Sequence, residues 1–281
     1  MIIFNKIDEI KLYLRKQQNA GQTIGFVPTM GYLHEGHQSL IRKAAEENDI
    51  TVVSIFVNPT QFGPSEDLAK YPRDLKRDEI KAKEAGAHII FHPDDKEMYP
   101  EGYKTYIEVE ELSDVLCGAS RKGHFKGVAT VVAKLFNIVH PDKAYFGQKD
   151  AQQALVIKQM VKDLNMDTEI VVCPIIREED GLAKSSRNVY LSEDERKRSL
   201  VLSKSLRRAQ ELIEQGITDA KIIRSEIVGM IEKENVIIDY VEIVSADTLK
   251  QVDKIEGKIL IALAVKVGNT RLIDNIIITK N

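Results

Sequence analysis

Short apolar runs alternate with segments of helical spacing over the first 176 residues of the chain. Runs at residues 23–27, 51–57, 87–91, 143–146 and 169–172 predict buried strands. Helical spacing at residues 38–47, 76–85, 128–139 and 151–164 predicts helices between them. Strands that alternate with helices form βαβ units and a mostly parallel sheet. The pattern therefore predicts an α/β fold, and in such an open sheet ligands bind beyond the carboxyl ends of the strands.

The pattern changes after residue 176. Residues 177–188 are polar and rich in turn formers, and Ser192 precedes an acidic first helical turn. A second helix is predicted near residues 219–234, followed by strands at 239–244, 258–267 and 270–278. Gly268 and Asn269 join the last two strands in a hairpin-type turn. We therefore predict a first domain at residues 1–176 and a smaller α+β domain at residues 177–281.

Composition excludes several classes of protein. The 281 residues are 43% hydrophobic and 30% charged, which is enough apolar material for a sizeable core. The net charge of −3 gives no general attraction to nucleic acid or to an anionic membrane. Two cysteines are too few for a disulfide framework, and the N-terminus lacks the features of a signal peptide. These features predict a cytoplasmic protein with no membrane or nucleic-acid partner.

The first chemical signal is the segment MGYLHEGH at residues 30–37, which directly follows a predicted strand. If a helix begins near Glu35, its free N–H groups and dipole favour an anion, and Gly31 and Gly36 let the backbone approach a ligand. His34 and His37 then lie on one side of the first turn, where protonated or neutral imidazoles can donate to phosphate oxygens. Two histidines that only cap a surface helix are the alternative, and a closed zinc site is disfavoured because no Cys pair accompanies them.

Two further segments fit the same chemistry more weakly. Lys184, Ser185, Ser186 and Arg187 place two cations and two hydroxyls in a loop that could close over a triphosphate, although such a tetrapeptide alone is more typical of a solvated loop. The segment GQKD at residues 147–150 follows another predicted strand. Lys149 could contact a phosphate, whereas Asp150 taken alone is better explained as a helix cap.

Together these segments resemble the pantoate–β-alanine ligase (pantothenate synthetase) family of the HxGH nucleotidyltransferase-like group. The matching segments are FVPTMGYLHEGH at 26–37, SIFVNPTQFG at 54–63, YPR at 71–73, GHFKGV at 123–128, YFGQKD at 145–150 and SSRN at 185–188. The HxGH element is shared with several nucleotidyltransferases, but the complete series is specific to this family. The resemblance implies a Rossmann-like, doubly wound parallel sheet with a smaller α+β C-terminal domain that acts as a lid.

The implied reaction is an ATP-dependent amide synthesis in two steps. The carboxylate of pantoate attacks the α-phosphorus of ATP, which gives pantoyl adenylate and pyrophosphate, and the amine of β-alanine then displaces AMP to form pantothenate. The resemblance also implies Mg²⁺ with the nucleotide, small-molecule substrates as the partners, and a homodimer. A nucleotidyltransferase that acts on a phosphorylated acceptor is the alternative function, and it would require Lys or Arg at the acceptor site.

The resemblance also assigns roles to single residues. His37, His34 and Lys149 are the implied catalytic residues, and His37 is the family's proton donor. The implied ATP-binding residues are Met30, Gly31, Tyr32, Leu33, His34, Glu35, Gly36, His37, Gly147, Gln148, Lys149, Asp150, Ile176, Lys184, Ser185, Ser186 and Arg187. Gln61 and Gln153 are the implied pantoate-binding residues, and Gln61 also lies at the β-alanine position. Asp67 and Asp74 are the nearby acids, but the sequence alone identifies no set of magnesium ligands.

Overall fold

The computed structural model describes residues 1–64 and 66–280, which form two β-sheets surrounded by helices. The strands are β1 (Ile2–Phe4), β2 (Ile24–Thr29), β3 (Ile50–Ile55), β4 (Ile89–Phe91), β5 (Lys143–Gly147), β6 (Glu169–Cys173), β7 (Ile237–Ser245), β8 (Gly257–Val267) and β9 (Thr270–Lys280). The helices are α1 (Ile7–Asn19), α2 (Glu35–Glu47), α3 (Leu75–Glu84), α4 (Asp95–Met98), α5 (Cys117–Ser120), α6 (His124–Val139), α7 (Ala151–Asp163), α8 (Glu193–Ser199), α9 (Val201–Glu214) and α10 (Ala220–Ile231). Three 3₁₀ turns span Pro59–Gln61, Gln148–Asp150 and Ser186–Tyr190. Over the described residues, none of the helices combines the length and the apolar character that crossing a membrane requires.

The larger sheet is parallel throughout and has the strand order β1-β4-β3-β2-β5-β6. Helices cover both of its faces, so its central strands consist of consecutive buried residues, as in β3, where all six residues are buried. The chain runs outward from β2 through β3 and β4 on one side and from β5 to β6 on the other. The direction of winding therefore reverses between β2 and β5, and a crevice opens at their carboxyl ends.

The predicted α/β class and parallel sheet are confirmed, and the sequence missed two elements near the N-terminus. Helix α1 shows only Ile10 and Leu14 buried among mostly polar neighbours, so its apolar stripe is too narrow to stand out. Strand β1 has three residues and pairs with β4 at the sheet edge. Helix α6 begins at His124, four residues earlier than predicted.

The second sheet is antiparallel, with the order β7-β8-β9, and the three strands predicted for the C-terminal region are confirmed. Helices α9 and α10 pack on one face of this sheet around Leu206, Ile223 and Ile261. Leu260 and Ala262, which point to the other face, belong to the same apolar core as the helices of the larger sheet. The hydrophobic core is thus continuous across the proposed domain boundary at Ile176, and that boundary stays a prediction.

An ion pair between a partly exposed arginine and a buried carboxylate connects strand β9 to the segment that follows β6. Arg177 donates two hydrogen bonds to Asp274 at 2.6 and 3.0 Å, and Asp274 is only 2% exposed. Removing one partner of a buried pair leaves the other charge without compensation. We expect Arg177→Ala, which leaves the buried carboxylate of Asp274 without its partner, to lower the free energy of unfolding by about 3 kcal/mol, measured by urea denaturation.

The control for this substitution is the exposed pair of Arg208 and Glu226, whose atoms lie 3.2 Å apart. Glu226→Ala should change the free energy of unfolding by no more than about 0.5 kcal/mol, because solvent screens such pairs. Equal effects of the two substitutions would contradict the assignment of the Arg177–Asp274 pair as a structural tie.

Candidate active site

The turn between β2 and α2 lies at the crevice, where the strand order reverses. Helix α2 begins at Glu35, as the sequence predicts, and His34 occupies its N-cap position with extended backbone angles. The preceding Gly31 and Tyr32 both have positive φ angles, +81° and +50°. This conformation is unfavourable for a tyrosine, so surrounding contacts must hold the turn in place.

Asp78 of helix α3 supplies those contacts. Its carboxylate accepts hydrogen bonds from the backbone N–H groups of Tyr32 and Leu33 at 2.7 and 2.6 Å. The Asp78 side chain is almost fully buried, and burial raises its pKa above the usual range. The guanidinium of Arg77 lies 4.4 Å from the centre of the Tyr32 ring, so α3 holds both the backbone and the side chain of the turn.

The two histidines of the HxGH segment lie side by side at the start of α2. Their rings stack with centroids 4.0 Å apart. The backbone N–H of His34 donates to Nδ1 of His37 at 3.4 Å, which places the proton of a neutral His37 ring on Nε2. Nδ1 of His34 is buried and has no hydrogen-bond partner among the described residues. A buried polar atom of this kind is satisfied when a ligand supplies its partner.

Both histidines are neutral at pH 7 in the free protein. Burial, together with His37 and the nearby cations Lys149 and Lys184, lowers the pKa of His34 to about 2. Burial lowers the pKa of His37 to about 4, with Asp150 opposing and Lys149 reinforcing the shift. Of the two protonation states that the sequence left open, the structure favours neutral imidazoles that donate single hydrogen bonds, in a site whose positive charge comes from lysine and arginine.

The second part of the crevice is the 3₁₀ turn Gln148–Asp150 at the end of β5. Asn275 of β9 donates to the backbone carbonyls of Gln148 and Lys149 at 3.0 and 2.9 Å, so the smaller sheet holds the backbone of this turn. The Lys149 amine lies 3.8 Å from the Asp150 carboxylate. Asp150 occupies the N-cap position of α7, as the helix-cap interpretation predicts, but its side chain makes no capping hydrogen bond there.

The loop at residues 184–187 packs directly against the turn that carries the histidines. Ser186 donates to the backbone carbonyl of Tyr32 at 3.4 Å, and Ser185 caps the 3₁₀ turn Ser186–Tyr190. Arg187 forms two hydrogen bonds of 3.0 Å with Asp67, and its pKa is raised by that carboxylate although burial opposes the shift. The loop is therefore anchored to the N-terminal region of the chain, and Asp67 balances the charge of Arg187.

The third part of the crevice is the 3₁₀ turn Pro59–Gln61 after β3. Asn58 donates to the side-chain oxygen of Gln61 at 3.1 Å, and the Gln61 side-chain nitrogen points to the sulfur of Met30 at 3.0 Å. Because a thioether is a weak acceptor, this nitrogen is available to a better one. Gln153 of α7 lines the same cavity, with no side-chain hydrogen bond within the described part of the chain.

Most of the implied site residues line this one cavity at the carboxyl ends of β2, β3 and β5. The lining residues among them are Met30, His34, Gly36, His37, Gln61, Gly147, Lys149, Asp150, Gln153, Ile176, Lys184, Ser185, Ser186 and Arg187. Five implied ATP-binding residues lie outside the lining, namely Gly31, Tyr32, Leu33, Glu35 and Gln148. Glu35 pairs with Arg42 at the surface, and Gln148 bonds to Asn275.

Protein atoms lie close to both glycines of the HxGH turn. A Cβ atom on Gly36 would lie 3.0 Å from the His34 ring, and one on Gly31 would lie 2.9 Å from the Asp78 carboxylate. These contacts alone disfavour a side chain at either position, and close approach of the backbone to a ligand stays a prediction. The space beside Gly147 is open, since a Cβ atom there would meet no protein atom within 4 Å.

The acids near the site do not form a metal centre by themselves. In residues 1–64 and 66–280, no group of three or more His, Cys, Asp or Glu side chains could hold a metal ion. Asp67 is paired with Arg187, and Asp74 caps helix α3 by accepting the N–H of Arg77. Asp150 is the one carboxylate among the described residues that line the cavity.

Sequence reasoning missed Asp78, Asn58 and Asn275, which hold the functional residues in position. Asp78 and Asn275 are distant in sequence from the turns they hold, so no local pattern marks them. Asn58 lies in a segment that the sequence analysis did single out, directly after a buried strand. Its position at a strand's carboxyl end was a signal that could have identified it.

Comparison with known proteins agrees with this geometry. The family model for pantoate-beta-alanine ligase matches residues 2–277. The chain belongs to this family. Pantothenate synthetases from Acetivibrio thermocellus and Caldicellulosiruptor saccharolyticus are 62% and 59% identical to it over 279 residues, which is 99% of each chain.

Solved structures of the family have the same fold. The pantothenate synthetase of Thermus thermophilus superposes with a TM-score of 0.94 at 44% identity and covers 98% of this chain and 99% of its own. The pantoate-beta-alanine ligase of Francisella tularensis, solved with beta-gamma ATP and beta-alanine, has a TM-score of 0.79 at 37% identity and covers 98% of this chain and 97% of its own. The resemblance seen in the sequence is confirmed, and this chain is a ligase of the pantoate–β-alanine family.

The neutral state of His37 predicts a pH-dependent stability. A histidine in the unfolded chain has a pKa of about 6.5, whereas the pKa of the folded His37 is about 4. Between these values only the unfolded chain takes up a proton, so this contribution to stability is present above pH 6.5 and is lost as the pH falls toward 4. Between pH 7 and pH 5 the free energy of unfolding should fall in both proteins, but by roughly 1 to 2 kcal/mol less in His37→Asn than in the parental protein. Urea unfolding at both pH values measures this difference.

His140, an exposed histidine at the end of α6, provides the control. His140→Asn should keep the parental difference between the two pH values. The same difference in all three proteins would contradict a buried neutral His37.

Proposed function

We propose that the cavity binds the triphosphate of ATP at the His34–His37 turn and pantoate at Gln61 and Gln153, and that it condenses pantoate with β-alanine through pantoyl adenylate. The observation that carries this assignment is the convergence of three strand ends on one cavity. There two neutral histidines and Lys149 face a pair of glutamines. The activity itself is that of the family, whereas the roles of single residues are our proposal.

The triphosphate end is supported by charge and by free donors. Helix α2 directs its N-terminal N–H groups at the crevice, and Lys149, Lys184 and Arg187 surround it. His37 carries its proton on Nε2, and His34 has an unpartnered buried Nδ1. Negative charge that develops on the phosphates during adenylation is stabilised by donors already in place.

The acid end is supported by the orientation of one amide. Asn58 donates a hydrogen bond to the side-chain oxygen of Gln61, so the side-chain nitrogen of Gln61 faces the cavity beside Met30. A hydroxyl or carboxylate oxygen of pantoate is a stronger acceptor than the Met30 sulfur and would replace it. Two neutral glutamines on this side suit a hydroxy acid, whereas a phosphorylated acceptor would require Lys or Arg there.

In the first step a carboxylate oxygen of pantoate forms a bond to the α-phosphorus, and the bond between that phosphorus and the bridging oxygen of pyrophosphate breaks. Lys149 and His37 donate hydrogen bonds to the oxygens that gain charge. In the second step the amine of β-alanine forms a bond to the acyl carbon, the bond to AMP breaks, and the ammonium proton is released. Holding the reactants in line supplies much of the rate.

Asp150 is the residue we assign to Mg²⁺, which would lie mainly on the phosphates of the nucleotide, as is usual for this ion, and would neutralise their charge.

The pairing of Arg187 with Asp67 bears on the lid hypothesis, because Arg187 must leave Asp67 to contact a phosphate directly. The lid movement, the homodimer and the cytoplasmic location stay predictions.

The intermediate can be tested by product analysis. Incubation with ATP and pantoate alone should release pyrophosphate and leave an enzyme-bound acyl adenylate, detected by mass spectrometry of the quenched mixture. AMP should accumulate only after β-alanine is added. Formation of ADP and inorganic phosphate would instead indicate an acyl phosphate and would contradict the mechanism.

The charge-stabilising roles can be tested in single turnover. Replacing His37 or Lys149 with Ala should reduce the rate of adenylate formation by about two to three orders of magnitude, as expected when a transition-state donor is lost. Circular dichroism should show an intact fold. Lys158→Ala, on an exposed position of α7, is the matched control and should adenylate at the parental rate. A folded His37 or Lys149 variant with parental activity would remove that residue from the site.

A further inference from the structure

The segment GHFKGV at residues 123–128 takes no part in the chemistry proposed above, yet it packs on the turn that carries Gln61. Gly123 has a φ angle of +79° and ends the preceding loop, and α6 begins at His124. The first turn of α6 therefore faces the 3₁₀ turn Pro59–Gln61 at the acid end of the cavity.

Gly127 lets the two turns approach closely. A Cβ atom at this position would lie 2.4 Å from the carbonyl oxygen of Thr60 and 2.7 Å from the Cα atom of Gln61. Asn58 donates to the carbonyl of Gly127 at 3.1 Å from the other side. The backbones of α6 and of the 3₁₀ turn Pro59–Gln61 are therefore in direct contact, and a displacement of α6 would also displace Gln61.

His124 makes the contact that defines this arrangement. Its Nδ1 lies 2.8 Å from the carbonyl oxygen of Gln61, and its Nε2 lies 2.8 Å from Nη1 of Arg121. A guanidinium can only donate, so Nε2 accepts and the proton resides on Nδ1, which donates to Gln61. Arg121 is itself held by two hydrogen bonds of 2.7 Å to Glu66.

We propose that His124 is a positioning residue for the acid substrate: the chain of contacts from Glu66 through Arg121 fixes its tautomer, and its Nδ1–H holds the Gln61 turn so that the Gln61 amide faces pantoate. His124 touches no reacting atom in this proposal. The inference rests on the proposed function, since Gln61 is taken as a pantoate-binding residue.

Two substitutions separate the two nitrogens of the ring. The amide nitrogen of Asn lies two bonds from Cβ, as Nδ1 does, so His124→Asn keeps a donor for Gln61 and loses the acceptor for Arg121. The amide of Gln reaches one bond farther, as Nε2 does, so His124→Gln keeps the acceptor for Arg121 and loses the donor for Gln61. His140→Gln, at an exposed histidine, controls for the exchange itself.

The measurement is steady-state pyrophosphate release at saturating β-alanine, with separate titrations of pantoate and ATP, together with the melting temperature of each protein. His124→Gln should raise KM for pantoate by about three- to tenfold, the value of one hydrogen bond, and leave KM for ATP unchanged. His124→Asn should stay within about twofold of the parental KM for pantoate, although it loses the contact with Arg121. This difference between two equally disruptive changes is one that a purely structural role would not produce.

Equal KM values for pantoate in the two variants, or equal rises in KM for pantoate and ATP, would overturn the proposal. If His124→Gln does not fold, Glu66→Gln tests the same chain from its half-buried outer end. It should raise KM for pantoate alone by about two- to threefold, and a parental value would overturn the proposal. Absence of pantoate-dependent pyrophosphate release in the parental protein would instead overturn the proposed function, so the two failures are distinguishable.

Discussion

The geometry of the candidate site depends on one buried carboxylate, that of Asp78. Its two oxygens accept the N–H groups of Tyr32 and Leu33, which stabilises a turn whose φ angles are +81° at Gly31 and +50° at Tyr32. Burial raises the pKa of Asp78 in spite of these hydrogen bonds, so placing the charge there costs stability. The two hydrogen bonds determine where β2 ends and α2 begins, and therefore where His34 and His37 lie.

The site also shows how a parallel sheet gathers residues that are distant in sequence. The turns after β2, β3 and β5 come together because the order of the strands reverses between β2 and β5. Each turn carries a different chemistry: stacked histidines after β2, an oriented amide after β3, and a lysine with an aspartate after β5. The acidic chain as a whole has no attraction for anions, so the affinity for a triphosphate is local.

The smaller C-terminal region takes part in the site as well as in the core. Asn275 of β9 donates a hydrogen bond to the backbone carbonyl of Lys149, and Arg187 bonds to Asp67 in the N-terminal region. The hydrophobic core crosses the same boundary through Leu260 and Ala262. A movement of the C-terminal region therefore has to break these polar contacts at the cavity.

The sequence by itself determined the α/β class and most strands and helices, because apolar periodicity is a local property of the chain, and its motifs identified fourteen of the 27 described residues that line the cavity. It missed α1, whose buried stripe is only Ile10 and Leu14. Tertiary structure alone decided that His34 and His37 are neutral, that Asp78 and Asn275 hold the turns, and that Arg187 is paired with Asp67. The physical reason is that burial, pKa and long-range hydrogen bonds depend on which segments pack together, and no short stretch of sequence contains that information.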